Sequence, residues 1–207
     1  MDTRGRKVHW DTVYGSKSET EVSWFQETAA TSLDLLSYDG ISEKSAIVDV
    51  GGGASRLVDA LLDRGYADLT VLDLSAAALA AAKARLGDRA SKVRWIVADI
   101  TQWSPPVRFD LWHDRAVLHF LTAPADRSAY LNVLRQASRP GGLVIIATFD
   151  LDGPDKCSGL PVQRYSPASL SAFLGADFEP VDHRAEMHAT PWGSGQAFQF
   201  SRFVRRS

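Results

Sequence analysis

One cysteine, Cys157, stands in 207 residues, which excludes an intramolecular disulfide framework and suits a reducing compartment. No apolar run approaches the roughly 20 residues that a bilayer crossing needs; the longest, such as "GLVIIATF", fall far short. The opening residues, MDTRGRKVHW, lack the apolar stretch of a secretory leader. Neither sign of charge prevails: 23 basic against 25 acidic residues give a net charge of -2, with no general electrostatic reason to expect nucleic acid or an anionic membrane as partner. A cytoplasmic protein with neither partner is expected. Repeats are absent, and the one biased tract, "SAAALAAAKARL", reads as a strong helix capped by Ser75. Arg4, Arg6 and Lys7 near the start, and Arg202, Arg205 and Arg206 near the end, read as solvated tails.

With 45% hydrophobic residues the chain can bury one sizeable core, and a single domain over 1–207 is expected. Strand density is high at 45–50, 69–74, 92–100, 109–114 and 142–150, with helical patterns between most of them. One such pattern sets Leu57, Val58, Leu61 and Leu62 on a face, and another Tyr130, Val133, Leu134 and Ala137. Pro105 and Pro106 leave no room for a full helix between the third and fourth strands. A polar loop over 150–165 precedes a short helix from Ser166-Pro167 to Leu174, and 177–186 and 195–204 pair as an antiparallel hairpin at one edge. Residues 20–38 read as helical, part of a segment over 1–40 that folds across the sheet. The class is α/β: a mostly parallel sheet with an antiparallel edge hairpin and helices on both faces.

"AIVDVGGGASRLVDALL" (46–62) puts three glycines between the first strand and its helix. A P-loop is excluded, because Gly53 is followed by Ala54, Ser55 and Arg56 rather than by lysine and a hydroxyl residue. A dinucleotide fingerprint counted from Gly51 and Gly53 meets Arg56 where its third glycine belongs, which makes a nicotinamide cofactor the weaker choice. Asp49-x-Gly51-x-Gly53 remains, and with it the chain resembles the class I S-adenosylmethionine-dependent methyltransferases, whose Rossmann-like sheet has seven strands. The resemblance implies S-adenosylmethionine as cofactor. It implies that Asp73, beside Leu74, binds the ribose hydroxyls, and that Asp99 meets the adenine amino group with Ile100 against the ring.

The same resemblance puts the acceptor at the end of the fourth strand, in "FDLWHDRAVLHFLT". There Asp114, His113 and His119 are the expected catalytic residues, with Asp114 and Arg115 also beside the cofactor; His119 reads equally as an ordinary helical residue. His188 is a further candidate base. The opening "HWDTVYGSKSETEVSWF" is similar to that of protein-lysine methyltransferases in this group, which implies that Trp10, Tyr14 and Trp24 line the methionine end of the cofactor. Those enzymes carry Asp-Lys-Gly-Thr where this chain has Asp114-Arg115-Ala116-Val117. The histidines have no ligand spacing, so no metal is expected. The expected activity is methyl transfer to a small molecule, a thiol or other soft nucleophile. The alternatives are a protein lysine, or a module that binds the cofactor without turnover.

Overall fold

The computed structural model describes residues 3–38 and 40–206. Helix α1 (Thr3–Ser16) is followed by a 3-10 turn at Glu19–Glu21 and by α2 (Ala30–Leu36). The core alternates β1 (Ala46–Val50), α3 (Leu57–Asp63), β2 (Asp68–Asp73), α4 (Ala76–Leu86), β3 (Val93–Val97), β4 (Phe109–Arg115), α5 (Pro124–Ala137) and β5 (Ser138–Phe149). A small hairpin, β6 (Lys156–Cys157) and β7 (Leu160–Pro161), interrupts the expected polar loop; α6 (Pro167–Leu174), β8 (Phe178–Ala189) and β9 (Gly195–Arg205) complete the chain. The seven-stranded sheet runs β3-β2-β1-β4-β5-β9-β8, parallel through β5 and antiparallel for β9 and β8. No helix among the described residues is long and apolar enough to cross a membrane.

Strands buried on both faces explain the near-continuous apolar runs. Ile47, Leu69, Val71, Leu111, Leu143 and Ile145 pack with α2, α3 and α4 on one face. Their sequence neighbours Val48, Leu72, Trp112, Val144 and Ile146 pack with α5 and α6 on the other, as the two-residue period of the pleat requires. The expected caps are present: Ser75 Oγ accepts from the Ala78 amide, and Ser166 Oγ from that of Ser169.

Two expectations fail near the start. Residues 20–38 are not one helix, since only Ala30–Leu36 is α-helical. The N-terminal charges are not a free tail, for Arg6 reaches Asp99 at 2.8 Å and Asp126 at 2.7 Å. Helix α1 has no fully buried residue, so polar ties dominate its attachment: those of Arg6, Ser75 Oγ donating to Asp11 at 2.7 Å, and Gln102 Nε2 donating to Thr3 at 2.7 Å. At the other end Arg202 is also engaged, donating to the Leu35 carbonyl at 3.0 Å and lying over the Tyr38 ring. Arg6→Ala is expected to free α1, read as faster tryptic cleavage after Lys7 and Lys17 with the rest of the chain resistant; an unchanged cleavage rate would show that other contacts hold the helix.

Candidate active site

A crevice of about 760 Å³, part of it open to solvent, lies at the carboxyl ends of β1, β2 and β4, within the size range of small-molecule sites. The turn after β1 at its edge carries three glycines in close contact with their surroundings, of which Gly51 lines the crevice. A Cβ at Gly51, whose φ is +68°, would sit 2.0 Å from Val117 Cγ2; one at Gly52, 2.3 Å from Asp49 Oδ2; one at Gly53, 2.5 Å from Asp73 Oδ2. The missing side chains therefore admit the protein's own carboxylates and a valine methyl group, not only a ligand. Gly52, which has no part in the sequence motif, is as constrained as its neighbours.

Asp73 lines the crevice at the end of β2. Its Oδ2 accepts from the Gly53 amide at 3.0 Å and its Oδ1 from the Ser75 amide at 2.8 Å. Burial, with the charge of Asp49 adding to it, raises its carboxyl to about 6 against these backbone donors. Leu74, Asp99 and Ile100 follow along the same wall. β3 stops at Val97, short of the expected 92–100, so Asp99 sits on the loop beyond it, where Oδ1 holds Thr101 and Oδ2 the Arg6 guanidinium. Trp10, Tyr14 and Trp24 form the opposite wall as an aromatic cluster: the Trp10 ring lies 5.6 Å from that of Trp24 and 4.9 Å from that of Phe120. Arg6 belongs to this wall too and was missed. The signal for it was the spacing Arg6, Trp10, Tyr14, one face of a helix at i, i+4, i+8.

The concentration at the end of β4 is dispersed by the pleat. Asp49, Asp114, His113, His119 and Gly53 lie outside the crevice lining, whereas Arg115, Ala116 and Val117 belong to it. His113, 2% exposed, is fixed between Asp49 Oδ1 at 2.7 Å and Ser32 Oγ at 2.9 Å. These are the parts of a nucleophilic triad, but Ser32 is 1% exposed, and the chain of bonds ties α2 to the sheet. Asp114, one residue on, faces the other side, where it accepts from Tyr130 Oη at 2.6 Å and from the Val117 and Leu118 amides. Burial raises its carboxyl to about 6. His119 is fully buried, and desolvation, with the nearby Arg115 charge, lowers it to about 3. Asp114, His113 and His119, the expected catalytic residues, are thus interior side chains outside the crevice lining. His188 Nε2 donates to the Ser23 carbonyl at 2.7 Å, and this side chain too is outside the lining. Cys157 does line the crevice, with burial pushing its thiol up to about 11. Among the described residues no three His, Cys, Asp or Glu side chains converge on a metal position.

Comparison with known proteins is consistent with this geometry. Residues 47–142 match the family described as "Methyltransferase domain". The zebrafish (Danio rerio) protein "EEF1A lysine methyltransferase 2" is 28% identical over 159 residues, covering 70% of this chain and 68% of its own. A solved structure described under "Conversion of a Disulfide Bond into a Thioacetal Group during Echinomycin Biosynthesis" superposes with a TM-score of 0.76 at 21% identity, covering 97% of this chain and 92% of the other. The 1,6-didemethyltoxoflavin-N1-methyltransferase of Burkholderia thailandensis, solved with its substrate and S-adenosylhomocysteine, gives 0.69 at 20% identity, over 99% and 89%.

Removing Asp114 would strand the Tyr130 hydroxyl and two amides in the interior. Asp114→Ala is expected to cost about 3 kcal/mol of stability in urea unfolding, with Asp114→Asn milder; full stability in the alanine variant would return this residue to the list of catalytic candidates.

Proposed function

We propose that this chain is a class I S-adenosylmethionine-dependent methyltransferase that moves a methyl group to a small molecule, a thiol or other soft nucleophile. The observation that carries the reading is the crevice itself. It combines a buried carboxylate at the end of β2, an aromatic wall and a β4 end without a proton acceptor.

The residues present fit the cofactor. Each Asp73 oxygen holds a backbone N–H and keeps lone-pair capacity for a ribose hydroxyl. In this reading Asp99 takes the adenine amino group alongside Arg6, Leu74 and Ile100 supply apolar surface to the base, and Gly51 and Gly53 let backbone approach the methionine portion. Asp49 Oδ2, buried without a partner in the structure, faces the same glycine turn. When bound, the cofactor supplies an electrophilic methyl carbon on a cationic sulfonium. Trp10, Tyr14 and Trp24, carried by the 1–40 segment, exclude water and hold the reactants, and such positioning supplies about 7–11 kcal/mol of barrier reduction. The 150–165 loop, through Cys157, forms part of the acceptor side of this single-domain arrangement.

At the β4 end of the lining, Arg115 remains a cation and Ala116 and Val117 are apolar, while the Cys157 thiol stays protonated at neutral pH. An acceptor there must bring its own lone pair, which suits a thiolate. A protein lysine is the second reading, favoured by the zebrafish relative. The unpaired Arg115 cation opposes it, because a lysine ammonium would have to enter beside it.

Release of S-adenosylhomocysteine, screened across thiols, amines, carboxylates and an elongation-factor substrate, tests the acceptor class; donor binding without turnover on any of them would indicate a non-catalytic module. Asp73 gives a pH signature. Its raised carboxyl is ionised at neutral pH and gains a proton as the pH falls through about 6, losing acceptor capacity. Calorimetric affinity for S-adenosylhomocysteine is therefore expected to weaken about tenfold between about pH 7.5 and pH 5. Asp73→Asn should flatten that dependence and Asp73→Ala should weaken binding sharply; unchanged affinity in the alanine variant contradicts the ribose assignment.

A further inference from the structure

Between α1 and α2 the chain makes a turn that the Phe25 amide closes onto the Val22 carbonyl at 3.1 Å. The carbonyls of its two central residues, Ser23 and Trp24, are not used by the turn itself and need partners elsewhere. Side chains from the sheet supply them. His188 Nε2, on β8, donates to the Ser23 carbonyl at 2.7 Å, and Arg115 Nη1, at the end of β4, to the Trp24 carbonyl at 3.0 Å. Both donors rest on one ring, Phe198 of β9. The Arg115 guanidinium carbon lies 4.8 Å from its centre, and the His188 ring meets it edge to face at 6.1 Å. Phe198 is itself fixed, 1% exposed and packed on Phe149 at 4.8 Å. Two flanking ties add to the pair: Ser23 Oγ lies 4.0 Å from Cys157 Sγ, and Gln26 Nε2 donates to Glu186 Oε1 at 2.7 Å.

Resting on the reading of the crevice as the methyl-transfer site, we infer that Arg115 and His188 are positioning residues: seated together on Phe198, they grip the backbone of Ser23 and Trp24 and so fix the Trp24 indole in the aromatic wall of that site. Trp24 has no helix or strand of its own to orient it, and it is the aromatic member of the wall that α1 does not carry. Its ring lies 5.6 Å from that of Trp10 and 6.0 Å from that of Tyr14. Because α1 has no fully buried residue, those two rings take their place from the surface that Trp24 offers them. An arginine suits the task. Its charge strengthens the bond to the carbonyl, and the carbonyl dipole and the face of Phe198 together offset part of the cost of burying it. His188 lies outside the lining, so its influence on the crevice passes through the turn. Two residues whose types suggest proton transfer or ligand contact thus act through a third.

The test labels the full chain with fluorotryptophan and follows its six fluorine resonances by NMR. Trp24→Phe and Trp10→Phe assign the two signals of interest. Arg115→Met and His188→Leu each remove one grip and are expected to shift or broaden the Trp24 and Trp10 signals. The signals of Trp103 and Trp112, packed on the other face of the sheet, should stay in place and report an intact fold. Arg115→Lys and His188→Gln keep a donor and should return the Trp24 signal toward that of the parent. Calorimetric affinity for S-adenosylhomocysteine should fall about tenfold in the first pair of variants and recover in the second. An unmoved Trp24 signal in both Arg115→Met and His188→Leu overturns the assignment. So does a displacement that neither conservative variant reverses, since the two residues would then serve only the packing around Phe198. The His188 variants leave the interior charge untouched and decide the question even where Arg115→Met does not fold. If the parent fails to bind S-adenosylhomocysteine while both substitutions still displace Trp24, the methyl-donor reading falls and the grip on the turn stands.

Discussion

Three consecutive residues without side chains, between Val50 and Ala54, are the constraint on which the crevice depends. They let the carboxylates of Asp49 and Asp73 and a methyl of Val117 close onto the turn after β1, from three neighbouring segments at once. The turn thus serves as the joint where β1, β2 and the β4 connection meet. Asp73 is placed by that joint: its hydrogen bond to the Gly53 amide fixes an otherwise costly buried carboxylate at the edge of the ligand space. A Cβ at Gly52 or Gly53 would displace the acid it touches, and one at Gly51 the Val117 methyl, before it met a ligand.

Much of the sheet was legible because its strands are buried on both sides. The aliphatic runs at β1, β2, β4 and β5 carry the β-branched density of parallel strands, and Ser75, Ser166 and Pro167 mark helix starts through local chemistry alone. Helix α1 was harder to read, because long-range pairs such as Arg6 with Asp99 and Asp126 help hold it and have no local signature; only the i, i+4, i+8 spacing of Arg6, Trp10 and Tyr14 marks its inner face. Residues 20–38 also read as helical, but the chain runs largely irregular until Ala30.

The functional end of β4 shows how proximity in sequence misleads in a strand. His113, Asp114 and Arg115 are adjacent in the chain, yet the pleat sends Asp114 toward Tyr130 on α5 and its two neighbours toward α2 and the crevice side. Two groups that looked like acid-base chemistry became interior ties, and the residue that gained importance was the cation between them and Ala116. The crevice lining carries two cations, Arg6 and Arg115, against two carboxylates, Asp73 and Asp99, and has no carboxylate or imidazole at its β4 end. In the proposed reaction, the lack of a base at that end favours nucleophiles that arrive ready to react.

Ala116 adopts a left-handed backbone, with φ at 69°, a geometry more natural to glycine, while its amide holds the Ala147 carbonyl at 2.9 Å. Retaining a methyl group on a residue in this conformation narrows the crevice wall by one carbon. A contour change of that size is enough to separate ligands that differ by a single methylene, and here it comes from a strained joint in the main chain.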